Sequence, residues 1–346
     1  MRLGMLLGYS GASMGLKIDE VMEAERLGFD SVWTSEAYSS DAVSPAAWIL
    51  ARTSRIKVGT GIMQMPARTP ACTAMTAMTL QALSGNRFIL GLGPSGPQVV
   101  EGWHGVPFGK PQGRTKEYIS IIREIFARER PLEHHGEHYQ IPYNGPGATG
   151  LGKPLKSIMH PDPNLKIYTA AIAPGGLRTA GETANGVIPI WMIPERPEPV
   201  VEPVQEGLAK AGNAKTLADF DIAPFVKIKV GDDLQACRDA IKPEIALYIG
   251  GMGARNKNFY NDYTKRLGYE EAAVRIQNAF LSGQRKEAAA AVPDALVDQI
   301  ALVGPADRIK DRLQAWKAVA KDHKIGSLLL SGVTVEALRV VAEAVH

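Results

Sequence analysis

Short apolar runs alternate with helical periodicities from the first residues of the chain. "LGMLLGYS" (3–10) reads as a strand. "KIDEVMEAERLGFD" (17–30) sets Ile18, Val21 and Met22 at i, i+3 and i+4, the spacing of one helix face, with Gly28 near its C-cap. "SVWTSE" (31–36) is the next strand, "DAVSPAAWILARTS" (41–54) the next helix and "RIKVGTGIMQM" (55–65) a strand again. "TPACTAMTAMTLQALSG" (69–85) has clear helix ends: Thr69 to cap it, Pro70 at the first helical position and Gly85 to terminate it. "NRFILGLG" (86–93) is a fourth strand. Such alternation leaves little room for hairpins and predicts parallel strands joined by helical crossovers.

The rhythm breaks over about 131–165, a Gly-, Pro- and Tyr-rich excursion with a small hairpin expected at "EHHGEHYQI". It resumes with strands at 165–173, 186–193 and 219–230 and helices at 176–185 and around 197–211. A largely helical excursion over about 251–300 follows, then a helix at 305–321, a strand at 325–332 and a closing helix at 334–345. Eight strands with interleaved helices predict a (β/α)8 TIM barrel with insertions, one domain over 1–346; an open doubly wound sheet is the alternative. No short-period repeat or low-complexity tract interrupts the pattern.

Composition narrows the function classes. The chain has 346 residues, 45% hydrophobic and 22% charged, an ordinary globular balance. Net charge is only +3, which argues against nucleic acid and allows an anionic small molecule. Cys72 and Cys237 form no motif and read as buried, reduced thiols of a cytoplasmic protein. The N-terminal segment has glycines inside its apolar run, unlike a signal peptide, and no stretch approaches a membrane span.

In a barrel of this kind, reactive groups sit at the C-terminal ends of the strands. Glu36 is the only carboxylate at the early strand ends, a candidate acid or hydrogen-bond acceptor; a solvated loop residue is the alternative. If it only faces a ligand, Glu36→Gln leaves the melting temperature nearly unchanged. Glycines inside "VGTGIMQ" (58–64) and at 91, 93 and 96 suggest close backbone approach or a bulge. The match to G-x-G-x-x-G at 91–96 lacks its acidic residue about 20 positions on, where Gln112 to Lys116 stand. Pro174, Gly175 and Gly176 precede a helix, a candidate anion site or a plain turn. His134, His135 and His138 fall in the first excursion with no fourth ligand in view, so a surface hairpin is favoured and no metal site is assigned. "LYIGGMGARNKNFYNDYTKR" (247–266) reads as a lid, a packed insertion or an oligomer contact.

With these motifs in view, the sequence resembles the luciferase-like monooxygenase superfamily, in the branch that uses the deazaflavin coenzyme F420. The resemblance rests on "AERLGFDSVWTSE" (24–36), "RIKVGTGI" (55–62), "LSGNRFILGLGPSGPQVVEGWHG" (83–105), "PGGLRTAGETANG" (174–186) and "IALYIGGMGARNKNFYNDYTKRLGY" (245–269). The last block is similar to actinobacterial deazaflavin oxidoreductases and methylene-tetrahydromethanopterin reductases. The resemblance implies a TIM barrel and a non-prolyl cis peptide at Gly61–Ile62 behind the ring. It also implies a cofactor site of Gly61, Ile62, Gly93, Pro94, Ser95, Gly96, Ala173, Gly175, Gly176 and Leu177, with phosphate near 174–177 and Glu36 beside the ring. The implied activity is hydride transfer between coenzyme F420 and a small organic substrate whose identity stays open, by a cytoplasmic homodimer. An FMN-dependent monooxygenase and a non-catalytic deazaflavin binder are the alternatives. Ala37 after Glu36, and Gly96 after strand 4, depart from the acid–His and Glu pattern of the branch's sugar-phosphate dehydrogenases, so the resemblance does not extend to sugar-phosphate oxidation.

Overall fold

The computed structural model describes residues 1–160, 162 and 164–346. Pro161 and Pro163, inside the expected excursion at 131–165, lie outside the described residues. The predicted alternation is present as β1 (Arg2–Leu6), α1 (Ile18–Arg26), β2 (Ser31–Thr34), α2 (Val43–Arg52), β3 (Lys57–Thr60), α3 (Pro70–Leu83), β4 (Phe88–Gly93) and α4 (Pro111–Ala127). After the excursion come β5 (Ile167–Ala170), α5 (Pro174–Thr183), β6 (Gly186–Ile188), α6 (Glu198–Ala211), β7 (Phe225–Val230), α7 (Leu234–Gly251), α8 (Ala306–Lys321), β8 (Ser327–Ser331) and α9 (Val335–Val345).

The strands run parallel in the order β6-β5-β4-β3-β2-β1-β8-β7. The chain just before β7 closes this curl. Asp221 and Ile222 pair with Gly186 and Val187 of β6, whereas Phe225, Val226 and Lys227 pair with β8. One segment, broken at Ala223–Pro224, therefore joins both ends of the sheet, and Ile190 bridges to Phe225 above the break. This is the TIM barrel; the doubly wound alternative is excluded by the closure.

Alternation along the strands divides the core. Leu6, Trp33, Ile89, Tyr168, Ile188, Ala223 and Leu329 form a buried cluster, with Ile62 and Phe225 packed against it. Larger clusters lie between sheet and helices and under the helical insertion. Trp33 and Tyr168 meet at 5.3 Å between ring centroids. Below them Asp221 accepts hydrogen bonds from Tyr168 (2.8 Å) and Ser327 (2.7 Å) and pairs with Arg2 at 2.8 Å. A packed interior with a polar floor leaves the strand ends as the place for a ligand.

The excursions hold two kinds of structure. His134–His135 and Gln140–Ile141 form the expected antiparallel hairpin. Its turn is held by Glu117 of α4, which accepts from the backbone of Glu137, His138 and Tyr139 and contacts His134 at 3.1 Å. The second excursion is helical at Phe259–Arg266, Glu270–Leu281, Arg285–Ala290 and Asp294–Ile300. It then returns as a strand that the sequence pattern missed, Ala301–Gly304, paired with the outer half of β7. Ala301–Val303 follow directly on a helix with no break between them, so despite the Gly304–Pro305 turn at the far end only pairing reveals the strand. Cys237 is buried, but Cys72 is exposed on the first turn of α3, contrary to expectation. Among the described residues, no helix is long and apolar enough to cross a membrane.

Candidate functional site

After β3 the chain passes through Gly61 and Ile62, joined by a cis peptide bond at the position the resemblance implied. It rejoins the sheet as Met63–Gln64, paired with Leu92 and Gly93 of β4. Thr60 fastens this junction: its hydroxyl donates to the Gly91 carbonyl at 2.7 Å and accepts from the Gly91 N–H at 2.9 Å.

The glycines here are filled largely by the protein itself. A Cβ on Gly91 would strike the Thr60 carbonyl and press on the Trp33 ring, and one on Gly93 would lie 2.8 Å from Ile62. A Cβ on Gly59 would collide with Trp33, whereas one on Gly61 would meet Leu6 at 3.1 Å. Backbone approach and the Trp33 ring thus account for glycine at 59 and 91, and Ile62 occupies the space at 93. Gly96 is open; its nearest neighbour for a Cβ is the Gln98 side chain at 3.4 Å.

Glu36 does not stand free at the mouth. It is 8% exposed, and its carboxylate receives both Arg68 guanidinium nitrogens at 2.9 Å and the Gln64 backbone N–H at 2.7 Å. Burial alone would depress the Arg68 guanidinium, but the Glu36 carboxylate outweighs it and holds Arg68 above its ordinary value. Glu36→Gln would leave the partly buried Arg68 guanidinium without its counter-charge, so a loss of stability replaces the unchanged melting temperature first expected. Through Gln64 the pair reaches the mouth. The Gln64 amide donates to Ser95 at 3.0 Å, and its oxygen meets His104 at 2.6 Å. Ser95 itself holds a left-handed backbone, φ 62°. Pro94, Ser95 and Gly96 bridge from β4 to a short helix, Pro97–Gly102. Sequence reading missed Arg68 and His104; Arg68 lies in no motif, His104 lies in the block 83–105 without being singled out, and only the fold brings them to Glu36 and Gln64.

The start of α5 fits an anion. Ala173 is its N-cap and offers no side-chain cap, Pro174 stands at N1, and the first turn holds no carboxylate. The Leu177 N–H is already spent on the Ala173 carbonyl. Of the four expected contributors, Ala173, Gly175, Gly176 and Leu177, that leaves the backbone N–H groups of the first three. Neither glycine has a positive φ, so a left-handed backbone is not the reason for glycine here. A Cβ at Gly175 would approach the Gln112 amide at 3.2 Å, and one at Gly176 would approach Ala171 at 3.0 Å. Arg266, from the helical insertion, donates to the Ile172 carbonyl at 3.2 Å and sets a cation beside this turn. Uncapped N–H groups, an amide and a guanidinium make a donor set suited to phosphate.

Residues 5–323 match the family described as luciferase-like monooxygenase. The chain belongs to that family. It is 44% identical over 320 residues, 92% of each chain, to a Mycobacterium tuberculosis protein carrying the provisional name coenzyme F420-dependent oxidoreductase. It is 29% identical, over 84% of this chain and 82% of the relative, to 5,10-methylenetetrahydromethanopterin reductase of Archaeoglobus fulgidus. Among solved structures, the F420-dependent tetrahydromethanopterin reductase of Methanopyrus kandleri superposes with a TM-score of 0.78 at 23% identity, covering 99% of this chain and 98% of that one. The luciferase-like barrel therefore holds across nearly the whole chain, insertions included.

Proposed function

We propose that this luciferase-like protein is a coenzyme F420-dependent oxidoreductase that moves a hydride between the deazaflavin and a small organic substrate. The observation that carries the reading is the 44% identity, over 92% of both chains, to the mycobacterial protein named for that cofactor. The donor set at α5 supports it, since the coenzyme carries a phosphate. Coenzyme F420, when bound, supplies the carbon that takes or gives the hydride.

The protein's residues have separable tasks in this reading. Gly175 and Gly176 bind the phosphate with backbone N–H groups, aided by Arg266 and the positive end of α5. Ile62, backed by Gly93, presents an apolar surface to the ring, and Pro94, Ser95 and Gly96 border it. Glu36 is a positioning residue: its carboxylate fixes Gln64 and Arg68, and Gln64 orients Ser95 and His104. The working unit is a pair of identical chains, joined through α2 and α3, where Trp48 and Met75 are both more than half exposed.

The test is a fluorescence titration of the purified protein with coenzyme F420 and, separately, FMN. Binding of F420 at about micromolar or tighter, with FMN much weaker, is expected; equal or tighter FMN binding overturns the reading in favour of a flavin monooxygenase.

A further inference from the structure

The first excursion carries an apolar surface that neither the fold nor the candidate site uses. Ile158 is 93% exposed and Leu151 85%, the two most exposed large apolar side chains, and Leu155 follows at 69%. Met159 is exposed as well. A single exposed leucine is ordinary, but four large apolar side chains in the run 151–159 form a patch. A loose chain is not the reason. The Leu155 carbonyl accepts from the Leu132 N–H at 2.9 Å, and the Ser157 carbonyl accepts from Arg128 Nε at 2.7 Å. Leu132 is buried, and Arg128 is the C-cap of α4. The backbone of this strap is therefore bonded to the body at 155 and 157, while the side chains of Leu155 and Ile158 stay in solvent.

Charge indicates what covers them. From His138 to His160 the chain has no Asp or Glu, and Lys153 and Lys156 alternate with the exposed apolar positions. Both lysines are exposed. Arg130 pairs with Glu124 at 3.0 Å, whereas neither Lys153 nor Lys156 meets a carboxylate among the described residues. The neighbouring carboxylates lie outside the run, at Glu133 and Glu137 before it and Asp162 after it. Lysine stems can lie along apolar surface while their ammonium groups reach an anion above it. A second copy seated strap to strap would set the lysines of both copies together, with no carboxylate in the run to offset them. Apolar side chains interleaved with free cations instead match a layer of anionic headgroups over hydrocarbon.

We propose that the strap 151–159 is a docking surface for an anionic lipid bilayer. Leu151, Leu155 and Ile158 enter the headgroup layer, and Lys153 and Lys156 meet lipid phosphates. The contact is peripheral, since among the described residues no helix is long and apolar enough to cross a membrane. The carbonyls at 155 and 157 already have donors, which lowers the cost of bringing this backbone against the bilayer. So small a set of groups makes a reversible anchor, sensitive to salt through its lysines.

Sucrose-loaded vesicles of phosphatidylcholine with about one-third phosphatidylglycerol are the probe, compared with pure phosphatidylcholine vesicles. The whole chain is expected to sediment with the anionic vesicles at low salt, to bind the neutral ones at least about tenfold less, and to be released by high salt. Leu151→Ser combined with Ile158→Ser leaves the net charge unchanged. It is expected to weaken binding to the anionic vesicles at least about tenfold, with melting temperature and light-scattering mass as in wild type. Lys153→Gln combined with Lys156→Gln is expected to weaken it to a similar degree. Wild type that stays in solution beside anionic vesicles, or either double variant that sediments as wild type does, overturns the proposal. So does a changed mass in the Leu151→Ser, Ile158→Ser protein, which would make the strap a contact between copies. The assay contains no coenzyme, so its outcome is independent of the F420 reading.

Discussion

Glu36 shows how one residue's role depends on partners far along the chain. Its place after β2 is visible in the sequence, but Arg68 and Gln64 reach it only because β2 and β3 pair in register. Removing one partner of a fully buried pair costs about 3–5 kcal/mol, and this pair is part-buried with Arg68 18% exposed, so the cost is expected to fall below that. Glu36→Gln is therefore expected to lower the melting temperature by several degrees in calorimetry and, by freeing Gln64, to weaken F420 binding as well. An unchanged melting temperature would return Glu36 to the free mouth position first expected for it. At the other end of the site, Gly175 is the sharper probe of the anion. Its nearest neighbour for a new Cβ is the flexible Gln112 side chain, whereas Gly176 is crowded by Ala171. Gly175→Asp puts a carboxylate where phosphate is expected. F420 affinity measured by fluorescence is expected to fall at least about tenfold, about 1.4 kcal/mol, with the fold intact. Unaltered affinity would place the phosphate elsewhere.

The elements were largely legible because their end signals are local. Thr69 caps α3 by accepting from Cys72 N–H at 3.2 Å, Pro70 opens the helix, and Gly85 follows it at φ 62°, as the string "TPAC…LSG" predicts. The joints between elements were not legible. Glu25, near the end of α1, turns its carboxylate onto the N–H groups of Ser54, Arg55 and Ile56 at 2.9, 2.6 and 2.9 Å, and so locks α1 to the entry of β3. Burial pushes this carboxyl up, but the three N–H donors outweigh it and hold it below its ordinary value of 4.5. Because the folded pKa is depressed, the stabilisation is present above the unfolded value and lost as pH falls through the folded one. Thermal melts from pH 7 to 3 are expected to show stability falling below about pH 4.5, with a shallower fall in Glu25→Gln. Parallel slopes for the two proteins would show that Glu25 contributes nothing to acid sensitivity.

For the whole molecule, assembly is the open physical question that the exposed faces of α2 and α3 raise. Trp48 is 54% exposed and Met75 63%, large apolar side chains on helices whose other faces are buried. Light scattering is expected to give the mass of a pair of chains, and Trp48→Glu combined with Met75→Glu to give a monomer. A wild-type monomer at working concentration removes the paired unit.

Periodicity and turn residues along the chain suffice for eight parallel strands and their helices, because amphipathic spacing and caps act over a few residues. They also place a helix start near 174–177, although Pro174, Gly175 and Gly176 form the first turn of α5 rather than precede it. They do not suffice for the closure of the barrel through the broken segment 221–230 or for the strand Ala301–Gly304, which exist only through hydrogen bonds to distant strands. Nor do they show that Gly91 and Gly93 are filled by Thr60, Trp33 and Ile62, or that Glu36 is spent on Arg68. Those outcomes depend on which side chains the closed sheet turns toward one another, and that is fixed by register and burial across the fold rather than by neighbours in sequence.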